Sequence, residues 1–135
     1  MPVLLADAVD NTSLSWTTGG DANWFGQTAN SHDGVDAAQS GAIGNNQSTW
    51  LTATVTGPGT LSFWWKVSSE TNWDKLCYYY DGVEDDCRSG DGNWTQKSRS
   101  IDAGTHTLKW KYSKDGSTIG YSDAGWVDQV EFTSR

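Results

Sequence analysis

Aspartate is the residue type with the greatest capacity for chemistry in this chain. Fourteen of the 17 acidic residues are Asp, and the three Glu stand at Glu70, Glu84 and Glu131. Most of the Asp lie beside Gly, Ala or Asn, where a carboxylate caps a turn. Two clusters stand out by position: Asp7 and Asp10 near the start, and Asp115, Asp123 and Asp128 near the end. Carboxylate and carbonyl oxygens in Gly-rich loops suit Ca2+, a hard cation that takes six to eight oxygen ligands. Asp128 has the spacing of Val130 and Phe132, which places it on the core side of a strand. A carboxylate there needs a metal or several hydrogen bonds. The ends of an antiparallel sandwich commonly lie close together, so Asp10, Asp128 and Asp123 are candidate ligands of a structural calcium. The alternative is that Asp128 only accepts hydrogen bonds from a neighbouring loop.

Aromatic rings are the second chemical resource. The chain has nine Trp, five Tyr and three Phe although its mean hydropathy is −0.62. Sugars present CH faces that stack on such rings, and exposed aromatics mark contact surfaces. Trp24, Trp64, Trp73, Tyr79 and Tyr121 fall on turns or outward strand positions and are candidate ligand-binding residues. For each, a ring that merely covers one end of the fold is the competing reading. Trp16, Trp65, Trp110 and Trp126 have core spacing, and Trp50 and Trp94 stand between the two groups.

Nothing points to catalysis. No two carboxylates are set apart by surroundings that would give them different pKa values, as acid–base pairs require. His32 and His106 are not placed beside a nucleophile, and no hydrolase, P-loop or metalloprotease motif is present. His106 reads as a hydrogen-bonded structural residue at the start of a strand.

Cys77 and Cys87 are symmetric about Gly82. A three-residue hairpin loop with a Gly bulge pairs residues whose numbers sum to 164, setting the two cysteines opposite one another and within disulfide reach. A two-residue Asp81-Gly82 turn pairs residues summing to 163 and leaves them one step out. A disulfide implies an oxidising, extracellular compartment; the alternative is two free thiols in a reduced protein. The spacing fits no zinc site.

These groups need a scaffold, and the pattern supplies an all-β one. Short alternating runs cover Leu14 to Thr17, Trp50 to Thr56, Thr60 to Ser68, Trp94 to Ile101, Thr105 to Ser113 and Trp126 to Phe132. Gly57-Pro58-Gly59, Asp81-Gly82, Ala103-Gly104 and similar pairs read as the turns between them. The expected architecture is an antiparallel β-sandwich, a jelly roll, as a single domain over residues 1–135. Residues 19–48 resist a strand reading; one or two short strands and an ordered binding or metal-holding loop are expected there.

Charge narrows the partners. The net charge of −8 argues against nucleic acid. No apolar run approaches the roughly 18–20 residues of a membrane-spanning helix. The first residues lack the cationic start and apolar stretch of a signal peptide, so any export signal is expected to have been removed from this sequence. Strongly anionic polymers would be repelled unless Lys66, Lys109 and Lys111 gather on one face. A neutral polysaccharide is therefore the expected ligand, with an anionic one bound at that lysine strip as the exception.

The strings LSWTTGG (14–20), HDGVDAAQSG (32–41), GPGTLSFWWKVSSE (57–70), DAGTHTLKWKYSKDG (102–116) and DAGWVDQV (123–130) resemble a bacterial module of large secreted multi-domain proteins. That module is similar to MAM-like and cleaved-adhesin jelly rolls and, more distantly, to carbohydrate-binding modules. The resemblance implies a non-catalytic, extracellular unit appended to other domains; the unit itself is expected to be a monomer. Such a unit would bind a polysaccharide or glycan or, alternatively, serve adhesion or protein interaction. It also implies a structural Ca2+ between an N-terminal acidic residue and an Asp of the last strand, positions matched here by Asp10 and Asp128. The acidic hairpin from Val83 to Arg88 and the cysteine at 77 depart from that pattern.

Overall fold

Two long strands organise the computed structural model, which describes residues 5–69, 74–115 and 124–134. They are β4 (Ser48–Ser68) and β7 (Thr95–Ser113). The other elements are α1 (Leu5–Ala8), β1 (Ser15–Gly20), β2 (Phe25–Gln27), β3 (Ala37–Gln39), β5 (Lys75–Tyr80), β6 (Val83–Arg88) and β8 (Ala124–Ser134). β4 and β7 pair antiparallel along nearly their whole length, from Ser48↔Ser113 to Trp65↔Thr95. Both bend at the same level, where Gly57 faces Gly104 and the register shifts between Gly57 and Gly59.

The bend folds one continuous antiparallel sheet into two layers. The first half of β4 and the second half of β7 join β1, β5 and β6, in the order β1-β4-β7-β5-β6. The other halves join β8, β3 and β2, in the order β2-β3-β8-β4-β7. Gly57-Pro58-Gly59 and Ala103-Gly104 are thus not turns between strands but corners within them. Glycine is required there by close approach: a Cβ on Gly57 would lie 2.0 Å from the Asp102 carbonyl oxygen, and one on Gly59 2.6 Å from the Phe132 ring.

The core lies between the layers. Leu51, Ala53 and Val55 line it from the first half of β4, and Leu61, Phe63, Trp65 and Val67 from the second. Phe63 reaches across to Tyr78 and Trp110, at ring separations of 5.1 and 5.2 Å. Trp65 and Trp110 are fully buried, and Trp16 is half-buried against the core. Trp126 is also buried, but on the outside of the second layer, where its indole donates to Gln39 and lies under Lys66.

The edge strands β6 and β7 close one side with charge. Register places Lys97 and Arg99 beside Phe63 and Leu61, on the inward side. They pair with β6: Arg99 to Asp85 at 2.7 Å and Lys97 to Asp86 at 3.5 Å. Inward charges on an edge also discourage pairing with foreign strands.

The hairpin combines both expected registers. Asp81 and Gly82 form a two-residue turn, with φ of 51° and 82°, so Tyr80 faces Val83 and Tyr79 faces Glu84. A bulge between Tyr78 and Tyr79 then advances the pairing by one, and Cys77 faces Cys87. The two are joined by a disulfide.

The expected inward orientation of Asp128 is corrected by another bulge. Gln129 has a φ of 50°, and the β4–β8 register shifts between Ser62 and Trp64. Val130 and Phe132 keep the core side, whereas Asp128 pairs with Trp64 on the outside of the second layer. It is nonetheless fully buried, because the loop between β2 and β3 lies over it.

Candidate functional site

The N-terminal segment and β8 are neighbours, as expected for the two ends of the chain. The Val130 N–H donates to the Val9 carbonyl, and the Asn11 side chain donates to the Val130 carbonyl. This sets Asp10 beside Asp128. The β2–β3 loop completes the group: the backbone N–H groups of His32 and Asp33 donate to Asp128 Oδ2 at 2.8 and 3.1 Å. The loop holds its own shape through Asp33 Oδ1, which accepts from the N–H groups of Val35 and Asp36.

One carboxylate oxygen from each of Asp10, Asp33, Asp36 and Asp128 lies within 4.8 Å of the others. Oxygens around one Ca2+ at about 2.3–2.6 Å stand no further apart than about 5 Å, so this donor set fits that ion in both chemistry and span. Among the described residues, no Lys, Arg or His forms an ion pair with any of the four. Burial pushes the Asp10 carboxyl up to about 7, aided by its hydrogen bond to Asp33 and the charges of Asp33, Asp128 and Asp36. Burial likewise raises Asp128 and Asp36. Burial also acts upward on Asp33, but hydrogen bonds from Asp10 and the loop backbone outweigh it and hold Asp33 below the usual range. Asp123 lies outside the described residues.

A second constellation occupies the outer face of the first layer. Register aligns Gly19 on β1 with Trp50 and Lys111, and aligns Thr17 with Thr52, Lys109 and Tyr79. The indole of Trp50 lies against the Gly19-Gly20 backbone, where a Cβ on either glycine would come within 3.0 Å of it. The Lys109 ammonium stands 4.4 Å from the Trp50 ring centre and 5.9 Å from that of Tyr79, and Lys111 stands 5.8 Å from Tyr79. Burial and the charge of Lys111 both lower the Lys109 pKa. At the margin, Glu84 faces Tyr79 across the hairpin, and burial together with that carboxylate raises the phenol.

The sequence-predicted binding residues do not form one surface. Tyr79 stands on the first-layer face just described. Trp64 is on the outside of the second layer, with its ring covered by His32 at 3.7 Å. Trp24 is corrected: it is 2% exposed and belongs to the core. The cause is local, since Thr18 Oγ1 accepts the Trp24 N–H and donates to the Trp50 carbonyl, pinning the chain inward after β1. Trp73 and Tyr121 lie outside the described residues. Of the three lysines, Lys109 and Lys111 share a face, but Lys66 is on the other layer, bonded to Asn30. Spacing alone does not decide Trp50; the Gly19-Gly20 pair opposite it is the signal in the sequence. Asp33 and Asp36 were hidden among turn-forming residues of the long loop.

The sequence matches no family model and no curated protein. Solved structures do match. A domain of the secreted serine protease VesC from Vibrio cholerae aligns with 96% of this chain at a TM-score of 0.68 and 10% identity, and the chain spans 26% of that protein. The K2 cleaved adhesin domain of Lys-gingipain gives 0.64 at 15% identity, covering 87% of this chain and 89% of that one. TmCBM61, solved in complex with β-1,4-galactotriose, gives 0.63 at 17% identity, covering 100% and 99%. The fold is the β-sandwich of carbohydrate-binding modules and cleaved adhesins.

Proposed function

We propose that the protein is a non-catalytic carbohydrate-binding module of a secreted protein, holding a polysaccharide on the outer face of its first layer. The observation that carries this reading is the pair Trp50 and Tyr79, two half-buried rings on one open sheet face with Lys109 between them. Threonines 17, 52, 54 and 107 surround the rings with hydroxyls. The likeness to TmCBM61 supports the same reading at the level of fold. The disulfide supports an extracellular setting.

A structural Ca2+ would be held by Asp10, Asp33, Asp36 and Asp128, tying the N-terminal segment, the β2–β3 loop and β8 together. The ion would stabilise the scaffold and would not touch the Trp50 face. The likeness to the K2 adhesin domain favours a second reading, an adhesion module that meets a protein. Affinity electrophoresis against a polysaccharide panel tests the first reading. Retention should disappear in Trp50→Ala, and absence of retention on every polymer would refute it.

A further inference from the structure

Lys109 and Lys111 are the unexplained charges on that face. The chain carries a net charge of −8, yet no carboxylate of the described residues ion-pairs with either lysine. Lys97 and Arg99 are engaged by Asp85 and Asp86, and Lys114 donates to the Ile43 carbonyl. Lys109 and Lys111 instead have aromatic rings for neighbours. A ring attracts an ammonium but accepts no ordinary hydrogen bond, so among the described residues nothing takes up the three N–H donors of either lysine.

Resting on the glycan-binding reading, we propose that this face takes an acidic sugar, whose carboxylate or sulfate group is held between Lys109 and Lys111 while its ring lies against Trp50 and Tyr79. Alternate residues on one strand stand about 7 Å apart, so both ammonium groups can address a single acidic unit or two successive ones. Without an anion, two like charges at this spacing repel, and this repulsion adds to burial, the larger cause, in lowering the pKa of Lys109. The acceptor inventory points the same way. Neutral sugars are commonly held through hydroxyls donating to carboxylates and amides, whereas the described residues of this face offer threonine hydroxyls and, only at its margin, Glu84, which faces Tyr79. The net negative charge of the rest of the chain repels polyanions in general, so selective capture would depend on this local pair.

Affinity electrophoresis of the intact protein tests this in four gels: polygalacturonate, its fully methyl-esterified form, a sulfated galactan and neutral β-1,4-galactan. Retention by polygalacturonate or by the sulfated polymer, with none by the ester, supports the proposal, and the polymer that retards identifies the acidic group. Lys109→Met and Lys111→Met keep the aliphatic stem, and each should weaken that retention at least about tenfold, the effect of losing one charge-assisted contact. An unchanged melting temperature would confirm that both variants fold. Equal retention by the ester and the acid, undiminished in the lysine variants and lost in Trp50→Ala, would overturn the acidic-sugar proposal and leave carbohydrate binding intact. Retention on none of the four polymers would overturn this proposal, and failure on a wider panel would overturn the underlying reading too.

Discussion

The imidazole of His32 lies flat on the indole of Trp64, with ring centres 3.7 Å apart and planes inclined by 13°. Trp94 meets the same imidazole edge-on at 6.0 Å. This stack docks the β2–β3 loop on the second layer and so delivers Asp33 and Asp36 to Asp128. Trp64, expected to meet a ligand, instead has the geometry of a support for the acidic cluster. Trp64→Ala should therefore raise the Ca2+ concentration needed for half-maximal thermal stabilisation, although Trp64 supplies no oxygen. A titration midpoint equal to the wild type would show that the stack does not position the loop.

The cluster itself predicts calcium-dependent stability. An ion that binds only the folded state adds about 2.7 kcal/mol at a hundred times its dissociation constant. Melting in Ca2+ should accordingly occur at higher temperature than in EDTA, and Asp128→Asn or Asp33→Asn should abolish the difference. Identical melting curves with and without chelator would remove calcium from the account.

The disulfide predicts a second loss of stability. It closes a short hairpin, for which the loop-entropy account gives about 2–3 kcal/mol. Denaturant unfolding with and without a reductant should differ by that amount, and Cys77→Ser with Cys87→Ser should reproduce the reduced protein. β6 also carries Asp85 and Asp86, the partners of Arg99 and Lys97, so the loss should be accompanied by faster amide exchange in β6.

How far the sequence could be read depends on whether period-2 alternation was interrupted. Leu61, Phe63, Trp65 and Val67 alternate cleanly, and their strand and core face were legible. Gly57-Pro58-Gly59 has the composition of a turn, and composition cannot distinguish a reversal from a corner where a strand passes between layers. Gln129 has no glycine-like signature, so the bulge that turns Asp128 outward was invisible. Asp10 and Asp128 were legible as neighbours from the proximity of the chain ends. Asp33 and Asp36 were not, because turn-capping and metal-ligating aspartates use the same residue type in the same kind of loop. The cysteine register was legible only as two alternatives, and the hairpin contains both.

His106 predicts a pH dependence at the hairpin end of the first layer. Its Nδ1 lies 2.7 Å from Asp81 Oδ2, its Nε2 lies 3.0 Å from the Asp102 carbonyl, and Tyr80 stacks on the ring. The hydrogen bond to Asp81, followed by the carbonyl contacts and the Asp81 charge, raises the His106 pKa despite partial burial. The same bond and the Thr107 N–H lower that of Asp81. The histidine contribution is thus complete below the unfolded value of about 6.5 and is lost as pH rises through the higher folded value. The aspartate contribution is present above its unfolded value and is lost as pH falls through the lower folded one. An NMR titration should place the His106 midpoint above 6.5, and Asp81→Asn should bring it down; an unmoved midpoint would contradict the pairing.

Trp24 and Trp50 should respond oppositely to the same truncation. Trp24 is enclosed by the core, so Trp24→Ala removes a large ring that the surroundings cannot refill, at a cost of about 3–5 kcal/mol. Any residual folded protein should bind polysaccharide with unchanged affinity, because Trp24 does not reach the outer face of the first layer. Trp50 lies on that face over Gly19 and Gly20, and its loss leaves the core intact. Trp50→Ala should therefore melt close to the wild type yet lose glycan retention. Chemical denaturation and affinity electrophoresis on the two variants separate the roles. The assignment of the binding face fails if Trp24→Ala loses affinity at full stability or if Trp50→Ala unfolds.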